Sequence, residues 1–363
     1  MKKTLILTAA ISLSFSSWAA THTSEFGALP TLKVNAAKAE LGKRLFYDPR
    51  LSGDGALSCA SCHQPDNGFS HPDALAPAYP GSKGFRNVPT LINTAYKQVW
   101  FHDGRLGTNL NDVTREMLTE DWLMNMDMRL MQERVKQDPV YVSMFKAAGY
   151  GEPSNGSIRK AIPEFLKTLT SNTTPFDKGE MSELALKGQA VFTGKAGCVQ
   201  CHNGPLLSDG KPYNTGVEEN LDIFRDPMRH HTFIAFNMFM GNENYMNLKR
   251  DVGAHVQTHK ADGSDMGKFM TPTLRELKQT APYMHNGMME TLQDVVAFYN
   301  TGGGEDSNKD SRLKPLNLTW QEQKALVAFL TSLSSEPLTT EKHVWTQSDY
   351  NYAPIADWQN AKN

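Results

Sequence analysis

Cys59-Ala60-Ser61-Cys62-His63 and Cys198-Val199-Gln200-Cys201-His202 decide how the rest of the chain is read. Together they use all 4 cysteines of a 363-residue chain. Four cysteines in an exported protein suggest two disulfides, and two C-x-x-C pairs taken alone suggest a zinc site or a redox dithiol. The histidine directly after each pair separates these readings. On composition, one C-x-x-C-H pentad arises by chance about 0.001 times in a chain of this length. Two of them, consuming every cysteine, point to covalent attachment of two c-type haems. Thiols at this spacing reach the two vinyl groups of one porphyrin, and the adjoining imidazole reaches its iron. Cys59, Cys62, Cys198 and Cys201 are therefore the expected thioether positions, with His63 and His202 as proximal iron ligands.

Outward from these pentads, residues 1–20 combine Lys2-Lys3, an apolar run from Leu5 to Phe15, and small residues at Ser17, Ala19 and Ala20. This pattern predicts a cleavable signal peptide and a periplasmic mature chain, the alternative being a retained N-terminal anchor. No later stretch reaches the roughly 18 apolar residues of a spanning helix, so no membrane span is expected in the mature protein. Lys plus Arg number 37 against 39 Asp plus Glu. Without Lys2 and Lys3 the balance is 35 to 39, a charge of -4. There is no basic excess to hold a phosphate backbone, and nucleic acid is not an expected partner. A hydrophobic content of 39% excludes a disordered chain.

The expected fold is mainly α, with two cytochrome c-like haem domains and long loops. The domains are expected at 21–178 and 179–363, the boundary marked by Pro175 and Gly179. Asn35 precedes a helical stretch carrying Leu41 and Leu45, Ser182 opens another, and Thr319-Trp320-Gln321-Glu322 is a capping box before Leu326, Leu330 and Leu333. Leu292, Val295, Val296 and Tyr299 recur at helical spacing and predict a buried helix face. Gly302-Gly303-Gly304 reads as a flexible acidic loop. The runs Met117 to Met131 and Met238 to Met246 suggest gap-filling around bulky cofactors. His230-His231 and His255/His259 are expected in exposed loops.

The chain resembles the dihaem cytochrome c peroxidase and MauG family, from Leu41-Gly42-Lys43-Arg44-Leu45-Phe46 to the C-terminal helix. The matching motifs are Arg86-Asn87-Val88-Pro89-Thr90-Leu91, Asp103-Gly104-Arg105 and Thr280-Ala281-Pro282-Tyr283-Met284-His285-Asn286-Gly287. The resemblance implies a high-spin peroxide site at the His63 haem, an electron-reservoir haem at His202, and one calcium ion between them held by Asn87, Thr280 and Pro282. Where the peroxidases place a gating His, this chain has Tyr79, with His71 the nearest alternative ligand. Where they place a Met ligand to the second haem, and MauG a Tyr, it has Tyr299. His285 matches a family His near the peroxide pocket. The family's distal acid corresponds to Asp127 in Asn125-Met126-Asp127-Met128, with Glu120 and Asp121 as competitors. His102 replaces the Trp that relays electrons between haems, with Trp100 nearby. Ala196 stands where MauG has a surface Trp that passes oxidising equivalents to its protein substrate.

Three functions are consistent with this pattern. The first is MauG-like use of hydrogen peroxide to oxidise an aromatic side chain of a periplasmic partner protein. The second is reduction of hydrogen peroxide to water with electrons from a small cytochrome c or copper protein. The third is non-catalytic electron transfer. A monomer or a homodimer is expected.

Overall fold

The computed structural model describes residues 26–107 and 109–338; the expected signal peptide at 1–20 lies outside them. In chain order the helices are α1 (Ala36–Phe46), α2 (Cys59–Cys62), α3 (Leu110–Thr119), α4 (Met128–Lys136), α5 (Pro139–Ala147), α6 (Asn155–Leu166) and α7 (Pro175–Lys178). They continue with α8 (Glu183–Thr193), α9 (Asp222–Arg225), α10 (Pro227–Phe239), α11 (His255–Thr258), α12 (Leu292–Asn300) and α13 (Trp320–Ser332). Two antiparallel ribbons complete the regular structure: β1 (Val99–Trp100) with β2 (Leu106–Gly107), and β3 (Pro212–Tyr213) with β4 (Phe269–Met270). The mainly α fold is as expected.

The helix starts follow from capping chemistry. Asn35 accepts from the Lys38 N–H at 3.0 Å, Ser182 from the Ala185 N–H at 3.2 Å, and Thr319 forms a reciprocal box with Glu322. Each satisfies a backbone donor that the first helical turn leaves without a partner.

Two helix crossings organise the two cores. In the first, α1 packs on α6 around Leu41, Leu45, Phe46, Ile158 and Phe165. In the second, α8 packs on α13 around Phe192, Leu326 and Phe329. A glycine sits at each crossing: a Cβ on Gly42 would run into the Ala161 carbonyl, and one on Gly188 into the Ala325 carbonyl. Leu41-Gly42 and Gly188 thus play matching parts, each four residues before a buried Phe. Gly188→Ala is expected to lower unfolding stability by about 1–3 kcal/mol despite alanine's better helix propensity, because the added methyl overpacks a backbone contact. Urea unfolding of the variant checks this.

The segment expected to divide the domains is packed. Thr174 and Phe176 are buried in and around α7, and Phe176 joins Phe26 in the second core, their rings 5.6 Å apart. A third apolar cluster places Leu75 and Phe85 against Ile223, Phe233, Phe236, Val252 and Val256, tying early to late sequence.

Two side expectations are corrected here. His230 and His231 lie within α10, which Asp226 and Pro227 start and which Phe233 and Phe236 anchor, not in a loop. His255 is largely buried and holds Asp265 at 2.8 Å. Among the methionines, Met124, Met126 and Met131 fill the first core, whereas Met238 and Met246 are exposed.

Candidate haem sites and the residues between them

The two proximal histidines are held in the same way. The His63 Nδ1 lies 3.1 Å from the Phe69 carbonyl, and the His202 Nδ1 lies 3.0 Å from the Leu207 carbonyl. Both acceptor residues are fully buried and adopt positive φ, 55° and 49° respectively, which turns each carbonyl back toward its ring. A neutral imidazole that donates from Nδ1 keeps an unprotonated Nε2, the form that binds iron. Burial favours that neutral form, lowering His63 to about 4 and His202 below its ordinary range. None of the four cysteines forms a disulfide, so all four are left for thioether attachment.

A cavity of about 310 Å³ adjoins the second pentad, and its wall includes Cys198, Cys201, His202 and Tyr299. Leu292, Val295 and Val296 line it too, so the whole predicted face of α12 turns to one chamber. Thiols, a neutral imidazole and an apolar chamber fit a haem at this position. Burial raises the Tyr299 phenol, and the nearby Cys198 and Cys201 sulfurs add to the effect.

The same cavity reaches His102, Asn87, Thr280, Pro282 and His285. Asn87 is the hub: its N–H donates to the His285 carbonyl at 2.7 Å, and its carbonyl lies 2.9 Å from His102 Nε2. Burial lowers His102 to about 4, with Arg86 adding to the shift, and lowers His285 to about 3. Both rings are uncharged at neutral pH. His285 stacks on Phe269, ring centroids 3.6 Å apart, and its buried Nε2 has no hydrogen-bond partner. Beneath them Arg86 bridges Asp103 at 2.5 Å and Asp251 at 2.6 Å, and Arg105 also meets Asp103, at 2.9 Å. Burial opposes the charge on Asp251, but Arg86 outweighs it and holds the carboxyl down at about 2.

The family model for di-haem cytochrome c peroxidase matches residues 36–183. The cytochrome-c peroxidase IdrP2 of Denitromonas iodatirespirans is 50% identical over 328 residues, covering 88% of each chain. The chain belongs to the di-haem cytochrome c peroxidase/MauG family. MauG of Methylorubrum extorquens is 33% identical over 314 residues, covering 83% of this chain and 79% of its own. A crystal structure of a MauG-like protein associated with microbial copper homeostasis superposes with a TM-score of 0.71 at 26% identity, covering 86% of this chain and 93% of that one. The chain is therefore a dihaem peroxidase or oxidase by family, and its two pentads are the places it offers for two c-type haems.

Among the remaining site candidates, this family member brings some together and separates others. Asn87, Thr280 and Pro282 share the cavity wall. The Asn87 amide nitrogen donates to the Asp73 and Ala74 carbonyls at 3.3 and 3.2 Å, which turns its amide oxygen away from them. Among the described residues no group of three or more His, Cys, Asp or Glu is placed to hold a metal, so a cation here would rest on neutral oxygens. Asp127 is the N-cap of α4: its carboxylate accepts from the Arg129 and Leu130 N–H groups at 2.9 Å and is more than half exposed. Glu120 differs, because burial and the neighbouring Glu116 carboxylate push it up to about 7. His71 accepts the Asp73 N–H on Nδ1 at 3.1 Å, which puts the proton of its neutral ring on Nε2. The Tyr79 hydroxyl lies against Gly53. Glu219 was not foreseen; its burial and the nearby Asp251 raise it to about 7, and one carboxyl oxygen is buried without a partner. In sequence it is one of a Glu218-Glu219 pair that reads as surface charge. No described helix is long and apolar enough to cross a membrane.

Proposed function

We propose that this chain is a periplasmic dihaem peroxidase that reduces hydrogen peroxide to two waters, taking two protons and two electrons, the electrons from a small cytochrome c or copper protein. Its two haem domains span 21–178 and 179–363, a division supported by the two separate cores, though Phe26 and Phe176 reach across it into the second. A haem held by His63 and by Cys59 and Cys62 would supply the redox chemistry of peroxide reduction. The observation that carries this reading over partner oxidation is Ala196, which stands where MauG has the surface Trp that passes oxidising equivalents to its protein substrate. Between the haems His102 is a buried, uncharged imidazole fixed to the Asn87 carbonyl, and imidazole is far harder to oxidise than indole.

The protein's own contributions are positional and protonic. The Phe69 carbonyl orients His63 and makes it a stronger ligand. Tyr299 is assigned as the second ligand of the His202 haem, and Asn87, Thr280 and Pro282 as the calcium site between the haems. His285 is assigned to the edge of the peroxide pocket. Of the acids the resemblance offers, Asp127 is committed to capping α4 whereas Glu120 is half-buried beside Glu116, so Glu120 is assigned as the proton carrier; raised to about 7, it can take the first proton of peroxide and return it to the departing oxygen. Only the deprotonated carboxylate can start that transfer, so the rate of peroxide reaction is expected to rise with pH through about 7. Glu120→Gln is expected to slow that reaction about 10²-fold and to flatten the rise, read by stopped-flow spectroscopy. An unchanged pH profile would remove Glu120 from the role.

Oxidation of a partner's aromatic side chain is the second reading, favoured by Tyr299. Peroxide turnover with a reduced small cytochrome, run beside intact-mass analysis of candidate partner proteins, separates the two. Donor oxidation at two electrons per peroxide supports the peroxidase; a covalent product on a partner without donor turnover overturns it.

A further inference from the structure

A second cavity, about 380 Å³, opens between α1, α6, the 95–100 segment and the start of α3. Its wall carries four lysines, Lys38, Lys97, Lys160 and Lys167, against a single carboxylate, Glu164. Lys160, Glu164 and Lys167 follow one another at helical spacing and share one side of α6. Lys167 is matched to Glu164 at 2.8 Å. The other three ammonium groups make no ion pair; Lys38 lies over the Tyr150 ring, 4.7 Å from its centroid. Lys97 is deeply placed, and burial lowers it to about 8.

The remaining polar wall is rich in donors. Gln98 and Asn111 contribute amides, and Trp100 is a wall residue whose buried indole N–H has no hydrogen-bond partner. An orphaned buried donor is destabilising unless an acceptor occupies the space in front of it. Burial of the Lys97 ammonium is a second cost, since it disfavours the charged form. Both penalties vanish when a ligand with several acceptor oxygens and more than one negative charge enters. Concavity favours a small molecule over the flat face of a protein.

We propose that this cleft is a binding site for a small multivalent oxyanion, of the phosphate, sulfate or polycarboxylate class, held by Lys38, Lys97 and Lys160 and by the Trp100 N–H. Lys97 lines both this cleft and the cavity whose wall includes Cys198, Cys201 and His202. An anion bound here cancels the Lys97 charge beside that cavity and would lower the reduction potential of a haem held there, so the cleft couples anion level to the redox poise of the enzyme. Binding itself does not depend on which reaction the haems perform.

The test uses the full holoprotein in titration calorimetry with inorganic phosphate and, separately, citrate, against chloride at matched ionic strength. Saturable binding of one anion per chain is expected, weakened at least tenfold in Lys160→Gln and further in Lys38→Gln/Lys160→Gln. Potentiometry should show a fall in the His202 haem's potential on adding the anion, and no fall in Lys97→Gln. Binding no stronger than chloride, or unchanged in the Lys38→Gln/Lys160→Gln variant, overturns the site. An anion-induced shift that persists in Lys97→Gln overturns the coupling. Should Lys97→Gln fail to fold, the exposed Lys160 still decides the binding.

Discussion

Arg86→Met is expected to cost about 3–5 kcal/mol of unfolding free energy, because it strips a buried carboxylate of its counter-charge without returning that carboxylate to water. The two acids around Arg86 are not equally exposed to the loss. Asp103 keeps Arg105 at 2.9 Å, whereas the Asp251 side chain keeps only a backbone N–H, that of Gly253 at 3.0 Å. Asp251 is therefore the group left uncompensated, and Arg86→Met/Asp251→Asn should recover most of the loss. The cost should also depend on pH. In the wild type the Asp251 contribution is full above the ordinary carboxylate range and is lost only as pH falls toward about 2. Without Arg86, burial outweighs the remaining Gly253 N–H and raises the proton affinity of Asp251, so the variant should close the gap with wild type as the solution is acidified. Urea unfolding at pH 7 and pH 4.5 reads both effects. Since Arg86 joins sequence positions 165 residues apart, the spectra of the two haems should also report loosened seating.

How much of this could be read from the chain depends on how local the determinant is. The pentads, the caps at Asn35, Ser182 and Thr319, and the Leu292 to Tyr299 face are each written within a few residues, and each appears where the spacing puts it. The carbonyls that orient His63 and His202 come from Phe69 and Leu207, five or six residues onward, in a backbone conformation that neither residue type announces. Asp127 shows the opposite difficulty. An Asp before Met-Arg-Leu fits both a distal acid and a helix cap, and only the geometry of its two backbone hydrogen bonds distinguishes them. Burial decides the rest. Glu120 and Glu219 look like surface acids until packing from distant segments removes their water and raises them to about 7. The lysines of the second cleft come from three separated stretches and share no motif.

Tyr299→Met is expected to raise the reduction potential of the His202 haem by a few tenths of a volt, out of the roughly 0.8 V that axial ligands span. The sign follows from charge. Burial and the neighbouring sulfurs raise the phenol, so as a free side chain Tyr299 would stay protonated. It can lose that proton only against a strong positive centre, and the resulting phenolate favours the ferric state over the ferrous. A neutral thioether gives no such preference. Tyr299→Phe removes the phenol oxygen with little change in volume, and the ferric signal of the second haem should change from low-spin to high-spin. Low-temperature EPR and potentiometric titration measure these outcomes without reference to turnover. Unchanged spectra and potential in both variants would return Tyr299 to a packing role on α12. The potential also bears on the choice of reaction. A reservoir held strongly ferric is a poor acceptor for electrons from a cytochrome, so Tyr299→Met should accelerate donor-dependent peroxide turnover if the chain is a peroxidase. If it oxidises a partner side chain instead, the second haem must itself be oxidised beyond ferric, and the same substitution should abolish product formation.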